Sequence, residues 1–434
     1  MESIGYQIKK VRSEKGMTQE DLAGNTISRS LLSLIENGYT KPSLHTLEYI
    51  ASKLDKPVSY FLGGAQSVQE ELDELIITLE QKLNNGNLNS SIERAFRFFE
   101  HIKDQTELFT QNSLGKLYTY MGISTVEKDS VKAQEYFKLA AECLETHEHA
   151  YLCKCYNNLG ILMWKSKNYV ESRDFFILAN QLHDNIHLEN LYTKLDILYN
   201  LALVQYSLYN YTEVNRLANE AIGYFEKYEL YYNYGYFCML QTLADKYLGN
   251  IDLALKHNKK AIDYYVLTEN DYMKYRCYVN QCALLRICKD YSKALLYIEE
   301  AIEYFKAVMN EDKLVNAQTE QLKVFFFANK ESDQILSLAE TLLKKIKNPI
   351  ECRGEILAII GGLLIKDKQY EKSFYYLTEA KTLLAEHPHN EMHLYISLGF
   401  NKIYEQNKEY ISSYDSIHRA APYNDPVPDF YLQN

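Results

Sequence analysis

Proline is scarce in this 434-residue chain: there are seven, and between Pro57 and Pro422 only Pro349 and Pro388 occur. Glycine is sparse as well, with 17 copies. Residues that break helices are therefore nearly absent from the long central stretch, which favours helix almost throughout. No apolar run approaches the roughly 18 residues that a membrane span requires. Met1-Glu2-Ser3 begins no signal peptide, so a soluble cytoplasmic protein is expected. The eight cysteines form no C-x-x-C pair and fit reduced thiols used as small apolar residues. Cys143, His147, His149, Cys153 and Cys155 cluster in sequence, but alternating spacing across a helix junction does not aim four ligands at one point. Neither a metal nor a cofactor is expected. A glycine-rich phosphate loop, a His-Glu-x-x-His pair and a nucleophile elbow are all missing, so the chain reads as a binding protein and not an enzyme. An overall basic charge is missing too. The net charge is −11, and residues 1–64, with eight Lys/Arg against seven Asp/Glu, leave −12 to the remainder.

What is present begins at Met17–Gly38, MTQEDLAGNTISRSLLSLIENG. Thr18 can cap a helix whose next residues are Gln19–Ala23, because its hydroxyl accepts from the free amides of the first turn. Gly24-Asn25-Thr26 interrupts it, and Ser28 caps a second helix running to Glu36. Asn37-Gly38 ends that helix in residue types that tolerate a left-handed backbone. Leu22, Ala23, Ile27, Leu31, Leu32 and Ile35 share one face, and Arg29, Ser30 and Ser33 fall on the other. This spacing predicts a helix–turn–helix whose second helix enters the major groove of DNA. Gln19, Ser28, Arg29, Ser30, Ser33 and Asn37 are the candidate contacts, with Arg29 and Ser30 reaching base edges. Ile4, Ile8 and Val11 predict a preceding helix. Leu44–Leu54, capped by Ser43, and Pro57–Leu62 predict two following ones.

The pattern TQE-x-LA…S-x-S-x-x-S-x-x-ENG resembles the Xre/lambda-repressor type of DNA-binding domain over residues 1–64. The turn before Ser28 is one residue shorter than in common members, as in the branch that includes PlcR, Rgg and NprR. A domain this close to neutral neutralises few phosphates, so two copies on a palindromic operator are expected, and hence a homodimer or higher assembly.

The remainder repeats. DSVKAQEYFKLAA, NYVESRDFFILAN, NYTEVNRLANEAI, NIDLALKHNKKAI, DYSKALLYIEEAI, QYEKSFYYLTEAK and EYISSYDSIHRAA align on Ala140, Ala179, Ala221, Ala261, Ala301, Ala380 and Ala420, with Thr341 expected to fill the gap. Successive steps run from 39 to 42 residues. Each segment follows a helix rich in Tyr, Leu and Asn. Such two-helix units resemble tetratricopeptide repeats with long helices. The resemblance implies an all-α chain: a five-helix domain at 1–64, linker helices or a degenerate repeat at 65–109, a right-handed superhelix at 110–421 and a tail at 422–434. The first helix of each pair would line a concave groove that binds peptide segments.

One polar position recurs in register. Asn158, Asn200 and Asn280 each lie 21 residues before the alanine of their unit, where other units carry Thr119, Leu240, Glu320, Ile359 and Gly399. A primary amide both donates and accepts, so a row of them can hold the backbone of an extended peptide whatever its sequence. Lys154 and Arg276 stand four residues before two of them, one helical turn away. Asp196 takes that place before Asn200. The spacing resembles the clamp by which tetratricopeptide grooves grip a peptide carboxylate.

A DNA reader fused to such a solenoid resembles the Rap–Rgg–NprR–PlcR–PrgX family of peptide-pheromone receptors. The resemblance implies a re-imported signalling peptide that switches operator binding. The alternatives are a Rap-like binder of a response regulator, acting through Gln66–Asp104, and an Xre-type repressor with a protein partner.

Overall fold

The computed structural model describes residues 4–61, 65–84, 89–103, 106, 109–183, 191–346 and 350–406. The described residues form twenty-two α-helices and no strand. By contact they divide into two compact units, Met1–Ile197 and Leu198–Asn434.

The first unit opens with α1 (Ile4–Glu14), α2 (Gln19–Ala23), α3 (Arg29–Glu36), α4 (Leu44–Lys53) and α5 (Val58–Phe61). The caps lie where the sequence places them. Thr18 and Asp21 form a reciprocal capping box, Ser28 accepts from the amide of Leu31, and Ser43 accepts from that of Thr46. Gly24 turns the chain between α2 and α3 at φ +52°, and a Cβ there would meet the Tyr49 hydroxyl at 2.4 Å, so both backbone and space demand glycine. Ile8, Val11, Leu22, Leu32, Ile35, Leu47, Ile50, Leu54 and Phe61 make one dry core.

Paired helices follow in the same unit: α6 (Ala65–Asn84) and α7 (Asn89–Ile102), α8 (Gln111–Thr125) and α9 (Ser130–Cys143), α10 (His149–Lys165) and α11 (Tyr169–His183). Helix α12 (Leu191–Ser207) spans the boundary between the units. The second unit continues with α13 (Tyr211–Tyr228), α14 (Tyr234–Tyr247), α15 (Ile251–Leu267), α16 (Asp271–Ile287) and α17 (Tyr291–Ala307). It closes with α18 (Glu311–Phe327), α19 (Ser332–Lys345), α20 (Ile350–Lys366), α21 (Tyr370–Leu383) and α22 (Met392–Gln406). The segment around Ala420 and the tail at 422–434 lie outside the described residues.

The register alanines explain the repeat. Ala140, Ala179, Ala221, Ala261, Ala301 and Ala380 are fully buried where two helices meet. In the 149–183 pair, Gly160 lets α10 approach so closely that a Cβ would sit 2.6 Å from the Phe176 ring, and Ser172 Oγ donates to the Gly160 carbonyl at 2.7 Å. Ser373 repeats that bond to Gly361 at 2.8 Å, at the same register two hundred residues on. One expected position fails. Thr341 is exposed and bonds the carbonyl of Ser337, and the buried small residue of α19 is Ala339. The buried set Ile335, Ala339 and Leu342 repeats Ala294, Ile298 and Ala301 of α17, so the register place falls on Leu342, one position beyond Thr341.

In the second unit α14, α16, α18, α20 and α22 pack successively on one another, far more than the second helices of the pairs do. The first helices therefore lie on the inside of the curve. The tyrosines are mostly packing elements. Tyr120, Tyr265 and Tyr395 are buried, and Tyr275 stacks on Tyr304 at 4.4 Å.

Candidate functional site

The face of the helix–turn–helix that carries the candidate DNA contacts is largely exposed. Arg29 and Ser30 face solvent on the first turn of α3, with Arg29 restrained only by Glu20 at 3.4 Å, and Ser33 is half-buried beside them. Leu34, 45 % exposed, shares the outward side, and Tyr39, 79 % exposed, follows the left-handed Gly38. Ser28 serves first as the cap of α3. Asn37 donates to the carbonyl of Ser33 at 2.9 Å.

Behind that face lies a constellation that sequence spacing does not show. Glu36 is buried, and Arg12 of α1 grips both of its oxygens, Nε at 2.5 Å and Nη2 at 3.0 Å. Gln19 of α2 donates to the same carboxylate at 2.8 Å, and Arg12 also donates to the carbonyl of Met17. One carboxylate thus sets α1, α2 and the end of α3 in fixed relation. The amide of Gln19, a candidate DNA contact, is engaged with Glu36.

In the solenoid part of the first unit, Asn158 and Lys154 lie half-buried on α10. The Asn158 amide donates to the backbone carbonyl of Lys154 at 2.8 Å. The Lys154 ammonium lies 5.3 Å from the centre of the Tyr151 ring, whose hydroxyl donates to Glu80 and meets that of Tyr120 at 3.4 Å. Burial lowers the Lys154 pKa, and the nearby Glu80 carboxylate opposes that shift. Burial also raises the Tyr120 hydroxyl to about 12. Burial thus outweighs Glu80 in setting the charge state of Lys154.

In the second unit Asn200 is half-buried on α12, and Arg276 and Asn280 come together on α16. With Lys313 and Asn316 of α18 they line a cavity of about 120 Å³, walled on its apolar side by Met239, Leu243, Val279 and Phe305. Two cations and two amides meet there, and no carboxylate is among the lining residues. The Lys313 pKa is lowered by burial and by the charge of Arg276. Such a cleft suits an oxyanion flanked by amide groups. Lys313 and Asn316 carry no sequence signal, since they become neighbours of Arg276 only through the packing of α18 on α16. The ladder changes character one repeat further on, where Glu320 is buried and bonded to Arg286 at 2.9 Å.

This architecture defines a helix–turn–helix protein with a tetratricopeptide-like solenoid. Residues 8–61 match the family described as helix-turn-helix. Over 73 residues the chain is 40 % identical to an immunity repressor protein of Bacillus phage phi105, and this match covers 17 % of the chain and about half the length (51 %) of that relative. The fold is similar to that of the apo quorum sensor NprR from B. thuringiensis, at TM-score 0.58 and 11 % identity, over 81 % of this chain and 98 % of that one. It is also similar to a Rap protein complexed with competence and sporulation factor, at TM-score 0.56 and 16 % identity, over 81 % of this chain and 97 % of that one. Apo RapI gives TM-score 0.58 and 14 % identity, over 80 % and 96 % of the two chains. The all-α reading, the Xre-type domain and the solenoid resemblance drawn from the repeats agree with these folds. No helix among the described residues is long and apolar enough to cross a membrane.

Proposed function

We propose that the chain is a peptide-responsive transcriptional regulator: a short linear peptide occupies the solenoid groove and changes the binding of the helix–turn–helix to operator DNA. The observation that carries the reading is the cleft of Arg276, Asn280, Lys313 and Asn316, in a chain whose first domain presents Arg29 and Ser30 to solvent. The quorum sensor and the Rap complex with competence and sporulation factor, which share the fold, support it. A peptide switches DNA binding only if it binds one arrangement of the protein better than the other. No catalytic step is needed, and the protein acts in the cytoplasm as a homodimer on a palindromic site.

Arg29 is the base-reading residue. Its replacement by alanine is expected to weaken operator binding by about 1–3 kcal/mol and to relax preference at one position in each half-site. Selection from randomised duplexes with both proteins checks this. Identical affinity and base preference would exclude α3 from the groove.

The ligand is a peptide of roughly five to eight residues, given a ~10 Å spacing of packed helices. Asn158→Ala, Asn200→Ala and Asn280→Ala should each leave the helix content unchanged and weaken peptide binding by about 1–3 kcal/mol. Arg276 is the better candidate for a ligand carboxylate, because it opens on the cleft beside a second cation, Lys313, whereas burial disfavours the charge of Lys154. Calorimetry of the three variants with a candidate peptide that binds the unaltered chain decides. Unchanged affinity in all three would make the asparagines structural.

A Rap-like contact with a response regulator is the second reading, favoured by the shared fold. Against it, Gln69 is tied to Ser113 and Asp73 at 2.9 Å and Glu71 pairs with Arg94 at 3.8 Å, so both serve the packing of α6.

A further inference from the structure

Three consecutive residues between α21 and α22 are anchored to distant parts of the second unit. The His389 ring stacks on Tyr209 at 4.2 Å and meets Tyr211 edge-on at 5.7 Å, and Tyr211 stacks in turn on Tyr247 at 4.8 Å. Asn390 donates to Glu351 at 2.9 Å and to Glu355 at 2.8 Å. Glu391 takes a two-oxygen bond from Arg286, each at 2.8 Å, and a third from Lys323 at 2.9 Å. Lys323 also pairs with Glu355 at 2.7 Å and with Glu320 at 3.3 Å.

The places of these partners in the repeat are informative. Glu320 stands 40 residues after Asn280, at its position one repeat on, and Glu355 stands 25 before Ala380, as Arg276 stands before Ala301. The inward-facing positions that offer amides and a cation in the open cleft are, one and two repeats further, carboxylates covered by the chain itself.

We infer that His389–Glu391 form an intramolecular latch: they fill the C-terminal end of the groove, and the groove opens there only when the segment lifts away. A contact made of ion pairs and ring stacks suits a switch better than an apolar core does. Opening it rehydrates the charges, which recovers the desolvation that closing costs, so the net bias is small while the closed geometry is well defined. The inference needs only that the first helices line the groove, and it holds whatever the ligand.

Native thiols report on the latch in the full chain. Cys282 and Cys352 are buried beside this cluster, Cys155 and Cys238 are buried in other repeats, and Cys288 is exposed. N-ethylmaleimide labelling read thiol by thiol by mass spectrometry should be fast at Cys288 in every protein. In His389→Ala and Glu391→Gln, labelling of Cys282 and Cys352 should accelerate at least about tenfold, with Cys155 and Cys238 at wild-type rates, as local opening requires. No acceleration, or equal acceleration at all buried thiols, would reduce the segment to ordinary packing. Should both variants fold poorly, the unaltered chain still decides by hydrogen exchange. Residues 387–391 should then exchange at least about tenfold faster than the interior of α20, and equal rates would overturn the latch.

Discussion

Glu36→Ala is expected to unfold the helix–turn–helix domain and leave the solenoid helical. Arg12, Gln19 and the end of α3 converge on that one buried carboxylate. Removing it strands a guanidinium that is 12 % exposed and frees α2 from α3. Breaking a buried pair by deleting one partner costs about 3–5 kcal/mol. At roughly 0.05–0.15 kcal/mol per residue, a domain of this size has only about 3–9 kcal/mol in total. The loss is therefore comparable with the whole stability of the domain. Hydrogen exchange across 4–54 in the full chain should rise to rates near those of unstructured peptide, while α14–α18 stay protected. Arg12→Leu combined with Glu36→Leu should recover part of the loss, because neither charge is then buried alone. Protection unchanged in Glu36→Ala would show that the apolar core alone orders the domain.

Lys323→Met is expected to destabilise the second unit by a similar amount without unfolding it, with a pH dependence of definite sign. Lys323 pairs with Glu320, Glu355 and Glu391, all buried, and Arg286, helped by the more distant Lys246, would remain to balance three carboxylates. The expected cost at neutral pH is about 3–5 kcal/mol. In the wild type, Arg286 and Lys323 overcome burial and hold Glu391 well below the usual carboxylate range, whereas burial outweighs Lys323 at Glu355 and raises it. Glu391 thus contributes stability above its unfolded pKa of about 4.3, and that stability is lost as pH falls through its folded value. Glu355 acts oppositely: it favours the folded state once protonated, and that contribution disappears as pH rises through its folded value. Without Lys323 all three carboxylates bind protons more tightly in the folded state, so the loss should be larger at pH 7 than at pH 5. Urea unfolding followed by circular dichroism at both pH values measures it. An equal loss at both would show that the lysine acts through packing and not charge.

Local features of this chain were legible without coordinates. Thr18, Ser28 and Ser43 cap helices because a cap satisfies amides within three residues of itself. Gly24 marks a turn because only glycine tolerates that backbone beside Tyr49. The register alanines were legible for a related reason: close helix packing needs a small residue at the same phase of every unit, so the requirement repeats along the sequence. Thr341 shows the limit, since the register place in α19 is filled one residue on by the buried Leu342, which no small-residue pattern marks.

Pairs that lie far apart belong to the tertiary structure. Arg12 and Glu36 are 24 residues apart and Arg286 and Glu391 are 105 apart, and neither separation is a multiple of the repeat length. Lys313 became part of the cleft only because α18 packs on α16. The same asparagine register reads alike at 158, 200 and 280, yet Lys154 lies over the Tyr151 ring while Arg276 shares a cleft with another cation. Caps, turns and repeat phase follow from forces that act over a few residues and are written where they act. Whether a charge is paired, covered or left open depends on the neighbour that folding brings to it, and the curvature of the stacked helices decides which neighbour that is.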